Sequence, residues 1–203
     1  MAEVKQAVGA LEALLRGRYS CREYTADPIS RDALAALLDQ GQGPQAGSGR
    51  RMAPSAHALY PLRLYVVIRR VAGMSAGLYA YDAVDGRLDR MADAPKSGDM
   101  LAVSLASDSW LEDAAAVVVI AADMRQAIAH FKDQQPDGMR GVRYVDFESG
   151  AVAQNMALAV SERALGGVVV MGFDQPRLDQ LLSLPSQYQS VAMYCVGVPL
   201  KKQ

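Results

Sequence analysis

Arg18-Tyr-Ser-Cys-Arg22 carries the densest chemistry near the start of the chain. If it runs extended, residues 18, 20 and 22 share one face, while Tyr19 and Cys21 point the other way. That face holds two guanidiniums with a hydroxyl between them. Each guanidinium is a planar fork of donors suited to phosphate oxygens. Two such charges repel unless an anion lies between them, so the pattern reads as a phosphate clamp. Two solvated arginines after a helix are the other reading of the pentapeptide.

A second candidate segment is Pro54-Ser-Ala-His-Ala-Leu-Tyr-Pro61. Its bracketing prolines and small central residues let the backbone approach a ligand closely. His57 is either a proton donor facing substrate near neutral pH or a solvated, structural histidine. Tyr60, Tyr79 and Tyr81 are either pocket walls or strand packing. Cys21, flanked by arginines, has the surroundings of a reactive thiolate, but alternation turns it away from them and makes it a buried apolar residue. Cys21 and Cys195 lie far apart without a CxxC or neighbouring histidine, so they read as reduced thiols, and no metal site is expected.

The elements that must position these groups follow from periodicity. Val4, Ala7, Val8, Leu11, Leu14 and Leu15 mark a first helix with one buried stripe, which Gly17 is placed to end in the left-handed conformation. Ser30 is an N-cap, with Ile29 and Leu34 as its hydrophobic staple, for a helix that stops at Gly41. Residues 41–53 are a Gly-rich loop. A strand covers 62–68, and a hairpin covers 77–82 and 87–91 around Asp85-Gly86. Residues 98–113 are weakly helical, and 114–122 form a central strand covered on both faces. A helix over 124–132 and a loop over 133–138 follow. The longest helix, 143–165, is apolar nearly all round at its centre, where Gln154 and Asn155 need hydrogen-bond partners if buried. Residues 166–173 form a strand, a helix follows with Asp174 as N-cap, and 190–198 form the last strand. The irregular βα order and the lack of a GxGxxG after a first strand favour an α+β fold over a doubly wound one.

Composition narrows the class. The chain has 203 residues, 51% of them apolar, which suits a single domain over 1–203 with a sizeable core. A net charge of -1 gives no broad electrostatic case for nucleic acid or an anionic membrane. The N-terminal stretch is acidic and helical, unlike a signal peptide, and no apolar run reaches the roughly 20 residues that span a bilayer. The expectation is a cytoplasmic protein without nucleic-acid or membrane partners.

Five pieces in order then resemble the nitroreductase family of FMN-dependent oxidoreductases over nearly the whole chain: RYSCR at 18–22, PSAHALYP at 54–61, the QN helix at 150–165, VVVMGF at 168–173, and VGVP with basic residues at 196–202. GLYAYD at 77–82 and the PSA loop look most like the SagB-type branch, whose members dehydrogenate azolines in modified peptides. The resemblance implies a central, mostly antiparallel sheet flanked by helices, in an intertwined homodimer with FMN at the subunit interface. It places Arg18, Ser20 and Arg22 on the FMN phosphate and ribityl chain, and Pro54, Ser55 and Ala56 over the ring from the other subunit. Met171 and Gly172 fall where a backbone N–H faces flavin N5, and Lys201 or Lys202 closes on the phosphate.

Physical chemistry agrees with these positions. A phosphate dianion suits two arginines and a lysine, a flat apolar ring suits small residues, and a glycine permits close approach. The cofactor carries the reaction, so no side-chain acid or base is assigned beyond His57 and Tyr60 as candidates to face substrate. The sequence departs from the family in two places. Ala58 and Tyr60 stand where the family often has Asn and Gln, and His130-Phe131 stands where the SagB-type enzymes have a catalytic Lys-Tyr pair. The expected activity is hydride transfer from NAD(P)H through FMN to a small nitroaromatic or quinone-like acceptor. The alternatives are a SagB-type dehydrogenase of a heterocyclic or peptide intermediate, and a non-catalytic flavin-binding protein.

Overall fold

The structure, a computed structural model, describes residues 2–200, with side chains from residue 9 onward. Three β-rich stretches open the sheet: β1 (Leu62–Ile68), β2 (Gly77–Asp82) and β3 (Arg87–Ala92). The remaining strands are β4 (Ala116–Asp123), β5 (Gly166–Val170) and β6 (Tyr188–Gly197). They form one sheet in the order β3-β2-β1-β4-β6-β5, and every neighbouring pair is antiparallel.

Strand alternation sorts the core into two layers. Leu62, Leu64, Val66 and Ile68 of β1 join Ala116, Val118, Ile120 and Ala122 of β4 on one face. Two long helices cover that face, α2 (Arg31–Gln42) through Leu34, Leu37 and Leu38, and α6 (Arg140–Glu162) through Val145, Val152, Met156 and Ala159. The intervening residues Tyr65, Val67, Val117, Val119 and Ala121 face the other layer. There the cover is short: α3 (Asp99–Ala102), α4 (Trp110–Asp113) and α7 (Gln175–Leu181) bring Met100, Leu111 and Leu178. The remaining helices are α1 (Ala2–Gly17) and α5 (Met124–Phe131). Among the described residues, no helix is long and apolar enough to cross a membrane.

Local signals mostly act as their chemistry dictates. The Ser30 hydroxyl accepts from Ala33 N at 3.1 Å, and Asp174 caps α7 by accepting from Arg177 N at 3.1 Å. The structure corrects four expectations. Gly17 ends α1 without entering the left-handed region. The second helix runs past Gly41 to Gln42 and is capped by Gly43, where a Cβ would stand 2.2 Å from the Asp39 carboxylate. The weak pattern over 98–113 resolves into two single-turn helices, because so short an apolar repeat gives cooperative propagation nothing to extend. Lastly, the described part of the first helix does not bury its stripe. Leu11 and Leu15 are about half exposed, since nothing among the described residues covers them.

Candidate functional site

The arginine segment adds itself to the sheet edge at β5. Ser20 bridges Gly167 in parallel, and Cys21 N donates to the Gly167 carbonyl at 3.0 Å. Beyond it, Thr25 N donates to Val198 O at 2.9 Å and Leu200 N to Glu23 O at 2.9 Å, tying the segment to the chain that follows β6. Cys21 is 4% exposed, as alternation requires, and the Tyr24 hydroxyl donates to its carbonyl at 2.9 Å. Such close docking depends on two glycines. A Cβ on Gly166 would lie 2.4 Å from Cys21 Sγ, and one on Gly167 would lie 2.5 Å from the Tyr194 hydroxyl oxygen.

Docking places Arg18 and Ser20 in the wall of a cavity of about 210 Å³, together with Met171 at the end of β5. The small faces of Gly150, Ala153 and Ala157 on α6 and the ring of Tyr194 complete it, and Gln154 is exposed beside them. Among the described residues, no carboxylate lies within ion-pair distance of Arg18 or Arg22. Burial raises the Tyr194 phenol far above its ordinary pKa, and the charge of Arg18 works in the opposite direction. Gly172 N–H has no acceptor among the described residues, and a Cβ there would meet nothing within 4 Å. Met171 beside it is 62% exposed.

Spacing alone puts residues 18, 20 and 22 on one face, and the structure divides them. Arg22 turns toward α4, its guanidinium 5.4 Å from the Trp110 ring centroid. It lines a neighbouring cavity of about 460 Å³ with Ser20, Pro199 and Leu200. Ser20 belongs to both cavities.

The serine loop lies elsewhere in the chain: none of Pro54, Ser55, Ala56, His57 or Tyr60 lines the Arg18 cavity. Ser55 Oγ accepts from Tyr60 N at 2.8 Å, and Ala56 N donates to Glu148 Oε1 at 2.8 Å. Glu148, on α6, is 4% exposed. Burial raises its pKa, while the hydrogen bonds from Ala56 N–H and Ser55 favour the charged form. His57, Ala58 and Tyr60 have φ of 53°, 53° and 50°, three left-handed non-glycine residues within four positions. Strain of this kind persists only where surroundings over-determine it. Here they do so through Glu148, the Ser55 hydroxyl and a contact between His57 Nδ1 and His130 Nε2 at 3.0 Å. Both imidazoles are exposed and rest against Phe131, at centroid separations of 5.1 and 4.6 Å. The Tyr60 hydroxyl accepts from Arg51 N at 3.2 Å, beneath the Arg51 guanidinium at 4.9 Å. Lys201 and Lys202 lie outside the described residues.

Four site residues escaped the sequence reading: Gly166, Gly167, Tyr194 and Glu148. The Gly-Gly doublet was a visible signal of close backbone approach, and an isolated Glu in an apolar helix was a visible signal of a buried partner. Nothing local marks Tyr194, which is an ordinary strand aromatic.

The nitroreductase family profile matches residues 15–198. A nitroreductase-named protein of Methanocaldococcus jannaschii is 33% identical over 174 residues, covering 86% of this chain and 84% of its own length. An NADH dehydrogenase of Thermus thermophilus is 24% identical and covers 91% of this chain and 84% of its own. Among solved structures, a nitroreductase-named protein of Anabaena variabilis superposes with a TM-score of 0.78 at 25% identity over 94% of this chain. This chain spans only 38% of that longer one. The Escherichia coli microcin synthetase McbBCD complex matches at TM-score 0.74 and 20% identity, over 91% of this chain and 70% of its partner, a likeness of fold. With an antiparallel six-stranded α+β fold, the arginine segment docked on β5 and a family match over most of its length, the chain belongs to the nitroreductase family.

Proposed function

We propose that the chain is an FMN-dependent oxidoreductase that takes reducing equivalents from NAD(P)H and delivers them to a small nitroaromatic or quinone-like acceptor. The observation that carries this reading is the cavity beside β5, where Arg18 without a carboxylate partner, Ser20 and Met171 converge on small residues of α6. Its donor set fits the cofactor. A guanidinium and a hydroxyl suit a phosphate, small residues suit the approach of a flat ring, and the Gly172 N–H stands free for an acceptor atom.

When bound, FMN would supply hydride acceptance and donation at its N5. The protein's part is to bind and orient. Arg18 and Ser20 hold the phosphate end, and Arg22, across Ser20, adds its charge from the neighbouring cavity. Gly172 N–H would donate to the ring edge, with Met171 beside it. Within one chain Pro54, Ser55 and Ala56 do not line the cavity, and in this reading a second copy would supply them across a homodimer interface. His57, exposed on that loop, would face the acceptor, with Tyr60 behind it. The basic residues Lys201 and Lys202 would close on the phosphate. The Thermus thermophilus relative, named an NADH dehydrogenase, supports a reduced nicotinamide as donor.

The test is direct. Purified protein should be yellow or take up FMN stoichiometrically with a rise in melting temperature, and the loaded protein should oxidise NADH or NADPH with a nitroaromatic or quinone present. A colourless protein that neither binds FMN nor is stabilised by it rejects the reading. Loaded protein inert toward both nicotinamides across a broad acceptor panel would favour the non-catalytic alternative. A SagB-type dehydrogenase has GLYAYD in β2 in its favour and His130-Phe131 against it, and oxidation of an azoline substrate would separate the two activities.

A further inference from the structure

Where β1 begins and β2 ends, a polar cavity of about 130 Å³ is walled by Gln42, Arg51, Arg63, Tyr81 and Asp82. None of these residues lines the Arg18 cavity. Four elements meet here: the end of α2, the loop of residues 43–61, and the two strands.

The donors around it are under-used. Tyr81 is 3% exposed, and its buried hydroxyl has no hydrogen-bond partner among the described residues. Gln42, also 3% exposed, lines the same cavity. An unpaired buried hydroxyl such as that of Tyr81 is unfavourable. Two guanidiniums complete the set. Arg63 Nε donates to the Tyr188 hydroxyl at 3.0 Å, which leaves its two terminal nitrogens free. Arg51 lies over the Tyr60 ring, and no carboxylate is within ion-pair distance of Arg51 or Arg63 among the described residues.

Arg63 is exposed, and its hydrogen bond to Tyr188 raises its pKa; the two guanidiniums are unequal. Burial lowers the Arg51 pKa most, and the Arg63 charge lowers it further. The phenol of Tyr81 is pushed up to about 12, by burial first and then by the Asp39 charge, so it remains a proton donor at neutral pH. Asp82 is the carboxylate in the wall. It is committed to a turn, accepting from Val84 N at 2.8 Å and Asp85 N at 3.2 Å, and it lies 3.7 Å from Arg87. The wall therefore carries two positive charges against one negative. The volume holds about four waters at roughly 30 Å³ each.

We propose that this cavity binds a small oxyanion, a phosphate or the carboxylate of a small molecule, between the Arg51 and Arg63 guanidiniums, with Tyr81 and Gln42 as neutral donors. The arrangement matches the oxyanion in shape as well as sign, since guanidinium forks meet such groups in bidentate fashion. Occupancy would fasten Arg51, three residues ahead of Pro54, to α2, β1 and β2, and so fix the root of the serine loop. The site is separate from the FMN reading and stands without it.

The experiment titrates inorganic phosphate, and separately acetate, into the full chain at constant ionic strength set by sodium chloride. Calorimetry and melting temperature are the readouts. FMN is added first to fill the Arg18 clamp, and the titration is repeated on Arg18→Ala. Expected is saturable binding of one anion per chain with a rise in melting temperature, and the tighter of the two anions identifies the ligand class. Arg51→Gln should weaken binding at least about tenfold, and Tyr81→Phe by several-fold, the scale of a hydrogen bond to a charged group. Arg18→Ala should leave it unchanged. The proposal is overturned if neither anion binds saturably in the millimolar range. It is overturned equally if Tyr81→Phe, a variant that keeps the ring and the packing, binds both as tightly as the parent, or if Arg18→Ala abolishes binding.

Discussion

Arg18 and Arg22 show what a residue type announces and what it withholds. Two arginines around a serine name the chemistry, an anion, from the sequence alone. They do not say that Arg22 will turn to Trp110, because that partner is 88 positions away and only the fold brings it near (22 to 110). The two arginines therefore separate in their expected effects. Arg18→Ala should cost about 1.5–3 kcal/mol of FMN affinity, the worth of a charged hydrogen bond, read by titrating flavin fluorescence. Arg22→Ala should fall at or below the lower end of that range, because its aromatic contact already compensates part of its charge. Equal losses would return both to one phosphate. Gly166→Ala tests the docking itself. The added methyl meets Cys21 Sγ at 2.4 Å, so urea unfolding should show about 1–3 kcal/mol of destabilisation, typical of overpacking, with a parallel loss of flavin. Unchanged stability would mean that the segment is not wedged against β5.

Elements were legible where one face repeats over several turns or strand positions. β1 and α2 needed only alternation or the helical stripe, β4 a continuous apolar run and α6 a long apolar stretch, and the structure places them close to the expected bounds. The serine loop was legible as a loop, but its support was not: Glu148 reaches Ala56 N–H across 92 residues, a pairing no local pattern encodes. That carboxyl sets a pH dependence whose sign is fixed. Its pKa is raised in the folded chain, so folding takes up a proton. The contribution of this group to stability should therefore be fully present below the ordinary glutamate value of about 4.3 and be lost as pH rises through the folded pKa. Glu148→Gln, which keeps an acceptor for Ala56 N–H, should flatten that part of the stability–pH curve. Glu148→Ala leaves the N–H unpaired, should cost about 1–3 kcal/mol, and should free the three left-handed residues to relax. An unaltered slope in Glu148→Gln would assign the dependence to other carboxylates.

At the scale of the whole molecule, the described residues leave several large apolar side chains uncovered. Leu11, Leu15, Phe147 and Met171 remain open to solvent, Phe147 at 72%, although burying such a side chain is worth about 1.5–3 kcal/mol. A second copy would cover apolar surface and bring its serine loop to the cavity in one step. Light scattering should therefore give twice the chain mass. Phe147→Glu should shift the protein toward monomer and weaken flavin retention in the same preparation, and a monomeric parent that still binds FMN tightly would refute the two-chain site. Periodicity told the fold class but not that Leu11 and Leu15 stay open, because an exposed stripe and a buried one have the same spacing.

The strand order has a consequence for how the protein is made. β5 reaches the rest of the sheet only through β6, which is later in the chain, and the arginine segment rests on β5. During synthesis Arg18 and Ser20 emerge before β6, and they have no surface to dock on until residue 197 has left the ribosome. Such long-range closure is slow relative to local helix formation. The nascent chain should therefore leave this segment undocked until β6 is made, and, on the proposed function, flavin should be captured only after β5 and β6 have paired. Cofactor uptake would then report completed biogenesis.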